Sequence, residues 1–212
     1  MEMINESCGQ FLAQLASAAP TPGGGGTAAL VGAAGVALGN MVGSLTVGKA
    51  KYAAVEDRIR ALNAKAEALR QQLEALVQAD AQAFAPVAAA YRLPKDTPEQ
   101  AAHKAAVLEQ ALEGACGVPL EIMEACAQGV LLAEEYAAKG SVLAVSDAGC
   151  AAALCGAALQ AASLNVFVNT RLMADQSRAA ELDARADALL DQYGPKAQAV
   201  CTQVTNKLRG RN

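Results

Sequence analysis

Charge leaves two long gaps in this chain. No charged side chain occurs from the glycines at Gly23–Gly26 through Val47, and a second run, Ala148–Val168, is equally bare. Both runs are mostly Ala, Gly and aliphatic residues. In the first, Gly32, Gly35, Gly39 and Gly43 recur at steps of three and four, which puts them on one side of an α-helix. Each internal glycine costs a helix ~1 kcal/mol against alanine. Four on one stripe therefore predict a helix that another backbone approaches very closely.

The remaining segments alternate apolar and polar positions with helical period. Met3–Ala18 places Ile4, Cys8, Phe11, Leu12 and Leu15 on one face. Ala53–Ala90 carries an inner stripe of Ile59, Leu62, Ala66, Leu69, Leu73, Leu76 and Val77, with charges opposite; Pro86 is expected to kink or end it. Thr97-Pro98-Glu99-Gln100 spells a capping box with proline in the first turn. That helix is expected to reach about Gly114, kink or start afresh at Gly117-Val118-Pro119 and resume to about Ala138. Ser146 or Asp147 is expected to cap the next helix, which runs to about Asp175. Gln176–Arg209 has leucines at helical spacing, interrupted at Gly194-Pro195. The expected fold class is all-α: a multi-helix bundle with two buried Ala/Gly-rich central helices. The 212 residues show no linker-like shift in composition, so one domain over 1–212 is expected.

Composition sharpens this. Hydrophobic residues make up 53% of the chain and aromatics only 3%, so the core must be built from small side chains, which helices accommodate more easily than sheets. The two uncharged runs are long enough to raise the question of a membrane. Asn40, Ser44 and Thr46 interrupt the first, and Gln160, Ser163 and Asn165 the second, so buried helices of a water-soluble protein are expected instead, with no membrane partner. A net charge of −4 offers no footprint for nucleic acid. The six cysteines form no CxxC motif, and the start MEMINES lacks a signal peptide's basic and apolar parts. Reduced thiols in a cytoplasmic protein follow. The single histidine, His103, joins no cluster with metal-ligand spacing, so no metal site is expected.

The candidate chemistry is polar residues at the tips of the apolar helices. Gly23, Gly24, Gly25 and Gly26 open directly into a helix, whose free backbone N–H groups suit a carboxylate, a phosphate or a developing oxyanion; a flexible turn explains the glycines equally well. Gly43–Lys49 fits GxxxxGK, but Ala50 follows the lysine and a helical pattern precedes it, which rules out a P-loop. Asn165 and Asn169, four apart, share a helix face. Asp80 stands alone among uncharged residues near Phe84, Asp147 lies at the other end of the asparagine helix, and Lys49 ends the glycine helix.

Taken in order, Pro20-Thr-Pro-Gly-Gly-Gly25, Leu45-Thr-Val-Gly-Lys49 with Tyr52, Asp80 with Phe84, Tyr91-Arg-Leu-Pro-Lys95, Val118-Pro-Leu120, Ser146-Asp-Ala-Gly149 and Asn165-Val-Phe-Val-Asn169 with Asp175 bring a family into view. The chain resembles, over about residues 3–205, the cyclodeaminase/cyclohydrolase family of one-carbon folate enzymes. That family includes the cyclodeaminase domain of formiminotransferase-cyclodeaminase and stand-alone methenyltetrahydrofolate cyclohydrolases. It departs from the family in having Gly26-Thr27 where a Ser commonly follows three glycines, with Thr27 as the stand-in hydroxyl, and Ala50 where a Lys is common.

The resemblance implies a helical bundle that forms a homodimer and takes a tetrahydrofolate derivative, with no cofactor beyond that substrate. It implies acid/base or cation-holding roles for Asp80 and Asp147, with Lys49 as proton donor or anion partner. Substrate contacts would come from Gly23 to Gly26, Thr27, Asn165 and Asn169. With no transferase domain ahead of it, a cyclohydrolase is expected first. A formiminotetrahydrofolate cyclodeaminase working with a separate formiminotransferase is the alternative, and a non-catalytic folate-binding or helical interaction protein is the reading from another class.

Overall fold

The structure, a computed structural model, describes residues 3–211. A 3-10 turn, Met3–Asn5, precedes helix α1 (Cys8–Leu15), so the expected Met3–Ala18 helix is a turn and a short helix instead. Its start is fixed by Ser7: the hydroxyl accepts from the Gln10 N–H while the Gln10 side chain accepts from the Ser7 N–H. Helix α2 (Gly24–Ser44) begins inside the glycine run, and Gly48, at φ +77°, turns the chain just beyond it. A 3-10 stretch, Ala50–Val55, leads into α3 (Glu56–Tyr91). Helix α4 (Pro98–Lys139) starts on the Thr97–Gln100 capping box, as the sequence predicts. A 3-10 turn, Val142–Ala144, joins it to α5 (Val145–Thr170), and α6 (Gln176–Leu208) is capped by Asp175, whose carboxylate accepts from the Arg178 N–H.

None of the three prolines ends its helix. Pro86, Pro119 and Pro195 lie inside α3, α4 and α6, and all three helices continue. A proline forfeits one backbone hydrogen bond and crowds the preceding turn. Here the residues that follow are core: Val87 and Ala90, then Leu120, Ile122 and Met123, then Ala197 and Val200 are all buried. Packing holds turns that propensity alone would lose. The cap of α5 also differs from expectation. The helix starts at Val145 behind Ala144, which offers no capping side chain, so Asp147 sits within the first turn.

Helix α2 packs against α3, α4 and α5, and α5 packs against α4 and α6. Facing residues fix the directions. Gly24 lies by Asn165 and Gly35 by Leu154, so α5 runs antiparallel to α2; Gly25 lies by Asp80 and Gly43 by Asn63, so α3 does too. The glycine stripe is buried, but what approaches it is mainly side chains rather than the expected backbone. A Cβ on Gly32 would sit 2.8 Å from Cys126 Sγ, one on Gly35 2.8 Å from Cys155 Sγ, and one on Gly39 3.1 Å from the Tyr136 ring. The glycines are sockets, and at Gly35 the Ala151 carbonyl also comes to 3.1 Å of the added atom.

By length and composition, α2, α4 and the segment Val142–Thr170 are long and apolar enough to cross a membrane, one more than the sequence suggested. In the structure 56%, 61% and 50% of their apolar windows are buried against the rest of the protein. What stays exposed on α2 and α5 is a shared apolar face, with Ala34, Ala37 and Met41 from one helix and Ala153, Ala157, Leu164 and Val168 from the other.

Candidate active site

The first turn of α2 and the last turns of α3 and α5 meet at one end of the bundle. There Asp80, projecting from α3, caps α2: its Oδ2 accepts from the Gly26 N–H at 2.8 Å. The glycines are what admit it. A Cβ on Gly25 would collide with the Asp80 carboxylate, and one on Gly26 would lie 3.2 Å from the Val77 carbonyl oxygen. The helix terminus that the sequence offered to a substrate anion thus already holds a carboxylate from its own chain. Thr27 is likewise occupied, since its hydroxyl donates to Gly23 O at 2.7 Å.

A cavity of ≈ 150 Å³ opens beside Asp80, lined by Pro20, Thr21, Gly23, Gly24, Asp80, Phe84, Ala115, Asn165, Val168 and Asn169. Of the predicted contacts, Gly23, Gly24, Asp80, Asn165 and Asn169 come together here. Gly25, Gly26 and Thr27 shape the wall from behind and do not line it. Sequence reasoning assigned no role to Pro20, Thr21, Phe84, Ala115 or Val168; the i, i+4 spacing of Asp80 and Phe84 was the available signal.

The cavity presents oxygen acceptors. Asn165 Nδ2 donates to Ala161 O at 2.9 Å, and Asn169 Nδ2 donates to Asn165 O at 2.9 Å and Ala115 O at 3.3 Å. Each amide nitrogen is anchored on a backbone carbonyl, and Oδ1 of both remains as an acceptor in the cavity that Asp80 also lines. Burial raises the Asp80 pKa above the usual carboxylate range, against the opposing effect of the Gly26 N–H. A carboxyl placed so can hold or move a proton in the cavity. Two amide oxygens, a carboxyl and the apolar sides of Phe84 and Val168 suit a flat heterocycle that carries N–H donors or positive charge.

Lys49 and Asp147 are not in this cavity. Helix α2 separates Gly24 from Ser44 by ~30 Å, and Asp147 is a similar distance, ~27 Å, from Asn165 along α5. Both belong to the opposite end, which is also constructed. Thr46 Oγ1 donates to Val42 O at 2.7 Å and accepts from the Ser141 N–H at 2.8 Å. The Tyr52 hydroxyl accepts from the Val142 N–H at 3.0 Å, and this bond is the main cause of its lowered pKa; burial opposes it, while Ser141, Lys51 and Lys49 add to it. Antiparallel packing therefore sorts the candidate residues to two ends of the bundle.

Among the described residues no group of three His, Cys, Asp or Glu side chains is placed to hold a metal ion. The buried thiols are held protonated by burial: Cys116 is pushed up to about 11 and Cys155 to about 12.

Comparison with known proteins shows the family of the chain. The family model for formiminotransferase-cyclodeaminase matches residues 7–188. The chain is 42% identical over 204 residues to a methenyltetrahydrofolate cyclohydrolase of Methylorubrum extorquens, covering 96% of this chain and 98% of that one. It is 33% identical over 198 residues to the formimidoyltransferase-cyclodeaminase of Mus musculus, covering 93% of this chain but only 37% of that protein's length. The crystal structure of formiminotetrahydrofolate cyclodeaminase from Thermotoga maritima superposes with a TM-score of 0.79 at 26% identity, covering 95% of this chain and 98% of that one. The chain belongs to the formiminotransferase-cyclodeaminase family.

Proposed function

We propose that this member of the family is a methenyltetrahydrofolate cyclohydrolase, adding water to 5,10-methenyltetrahydrofolate to give 10-formyltetrahydrofolate. The observation that carries the reading is the half-buried Asp80, held on the α2 terminus with its pKa raised, beside two amide oxygens. Identity of 42% over nearly the whole of both chains favours the cyclohydrolase among the family's activities.

Asn165 and Asn169 Oδ1 accept from the N–H groups of the pterin, and Phe84 and Val168 flank its faces. The Asp80 carboxylate holds the cationic amidine and takes a proton from the attacking water. The new C–O bond makes a tetrahedral carbon between N5 and N10. The C–N5 bond then breaks as N5 takes a proton, and the remaining hydroxyl proton leaves to solvent as the formyl C=O forms. These steps ask for no metal or redox cofactor.

A cavity of ≈ 150 Å³ is below the ~300–1,000 Å³ of ligand sites. We assign the remainder to a homodimer. The exposed apolar face of α2 and α5 suits a second copy better than lipid, because the site is unfinished without one. A two-fold axis lying in that face and crossing the helices brings the Lys49 and Asp147 end of each subunit over the Asp80 cavity of the other. Lys49 then meets the substrate's anionic tail or donates the proton to N5, and Asp147 supplies a second carboxylate. Each subunit acts as one helical domain in the cytoplasm, where its thiols stay reduced.

The second reading, formiminotetrahydrofolate cyclodeaminase, is supported by the Thermotoga maritima structure and implies a formiminotransferase supplying the substrate. Absorbance of the methenyl chromophore separates the two. A cyclohydrolase consumes it, whereas a cyclodeaminase produces it, with ammonia, from 5-formiminotetrahydrofolate. Folate binding without turnover of either substrate would overturn both and leave a carrier.

A further inference from the structure

Among the described residues, the most exposed large hydrophobic side chain is Leu143, 89% exposed, in the short connection between α4 and α5. Its neighbour Val142 is 44% exposed. An apolar side chain on a loose loop would carry no meaning, but this connection is clamped. The Ser141 N–H is held by Thr46 and the Val142 N–H by Tyr52, both from chain some ninety residues earlier, and the Ala144 N–H closes the turn on Ser141 O at 3.0 Å. Two consecutive backbone groups are thus pinned so that the next side chain projects.

The opposite end of the α2–α5 face has the complementary defect. Phe84 and Val168 wall the Asp80 cavity yet stand 36% and 55% exposed. A projection and an open cavity at opposite ends of one apolar face can be satisfied together by a single operator, the two-fold that seats each projection in the other copy's cavity.

We infer that Leu143, with Val142, is the lid of the partner subunit's site, lying on the face of the bound heterocycle opposite Phe84, and that Thr46 and Tyr52 are the residues that position it. The occupant of the face is a second copy of this chain. The inference rests on the reading of the Asp80 cavity as the folate site. Leu143 excludes water and orients the ring; it moves no proton.

Leu143→Asp is expected to keep the dimer mass and raise KM roughly tenfold to a hundredfold, the equivalent of losing one buried leucine contact. Tyr52→Phe, which frees the turn but leaves Leu143, is expected to raise KM more than it lowers kcat. The deciding measurement mixes subunits. Leu143→Asp and Asp80→Asn chains are unfolded together in equal amounts and refolded. Half of the dimers are then hybrids, in which one cavity joins an intact Asp80 to an intact partner Leu143, so activity at low substrate should recover to about a quarter of wild type. A mixture no more active than the mean of its parents would mean that Leu143 serves its own subunit and would overturn the inference, as would an unchanged KM in Leu143→Asp. If Leu143→Asp yields monomers, Leu143→Ala takes its place under the same criteria. Failure of the wild type to turn over either folate would sink the reading of the site instead.

Discussion

At the Gly24 end of α2 a carboxylate, two amides and a helix terminus converge on a small cavity. At the Ser44 end a lysine, a tyrosine and a clamped turn stand open to solvent. Both ends use glycine, to different purposes. Gly25 makes room for Asp80, which lines the cavity. Gly43 makes room for Asn63 and Tyr136, whose hydroxyl donates to Asn63 Oδ1 at 2.9 Å and which tie α3 to α4. The same residue in the same helix, eighteen positions apart, is a site device in one place and a core device in the other. Substitutions that separate activity from stability test that contrast.

The largest effect belongs to Asp80→Asn. The amide still accepts from the Gly26 N–H but moves no proton, so turnover should fall ~10²–10⁴-fold while the circular dichroism and the native mass stay as in wild type. A variant that retains a tenth of the activity would move the acid/base role away from this end.

Gly25→Ala comes next. Its Cβ displaces the Asp80 carboxylate, and a ~1 Å misplacement of a catalytic group can cost ~10²-fold in kcat. Stability should hardly change, because the side chain that yields is flexible and alanine favours the helix. Gly43→Ala should do the reverse. Overpacking against Asn63 and Tyr136 costs about 1–3 kcal/mol in urea unfolding, with kcat within about twofold for the molecules that remain folded. Equal losses of activity and stability in both variants would erase the distinction between the two ends.

Most of the architecture was legible from period alone. The two uncharged runs, the long α3 stripe and the Thr97 capping box all reappear as helices. That the helices run on through the prolines was not legible, because local propensity counts the lost hydrogen bond at Pro119 but not Leu120, Ile122 and Met123 packed behind it. At the site, Asp80, Asn165 and Asn169 could be picked out as polar residues in apolar surroundings. What the sequence could not carry is distance. Thr46, Lys49 and Tyr52 read as part of the same motif set as Gly23–Gly26, yet a straight helix separates them, and only antiparallel packing decides which end each residue joins. Nor could it show that the glycine terminus was already filled, because Asp80 lies more than fifty residues away in sequence.

The smallest expected effect is a pH dependence of stability at the Asp80 end. Burial raises the Asp80 pKa in the folded protein, so between the unfolded and folded values the native state binds more protons than the unfolded chain. Stability then falls as pH rises through that window and stays reduced above it. Asp80→Asn removes a group that ionises at a cost while keeping the acceptor for Gly26. Its stability relative to wild type should therefore be unchanged in acid, grow as pH passes the carboxylate range, and level off above the raised pKa. Urea midpoints of the variant and wild type at several pH values read this directly. A difference that stays flat across that window would mean that Asp80 ionises as freely in the folded protein as in the unfolded chain, and the cavity end would lose its buried acid.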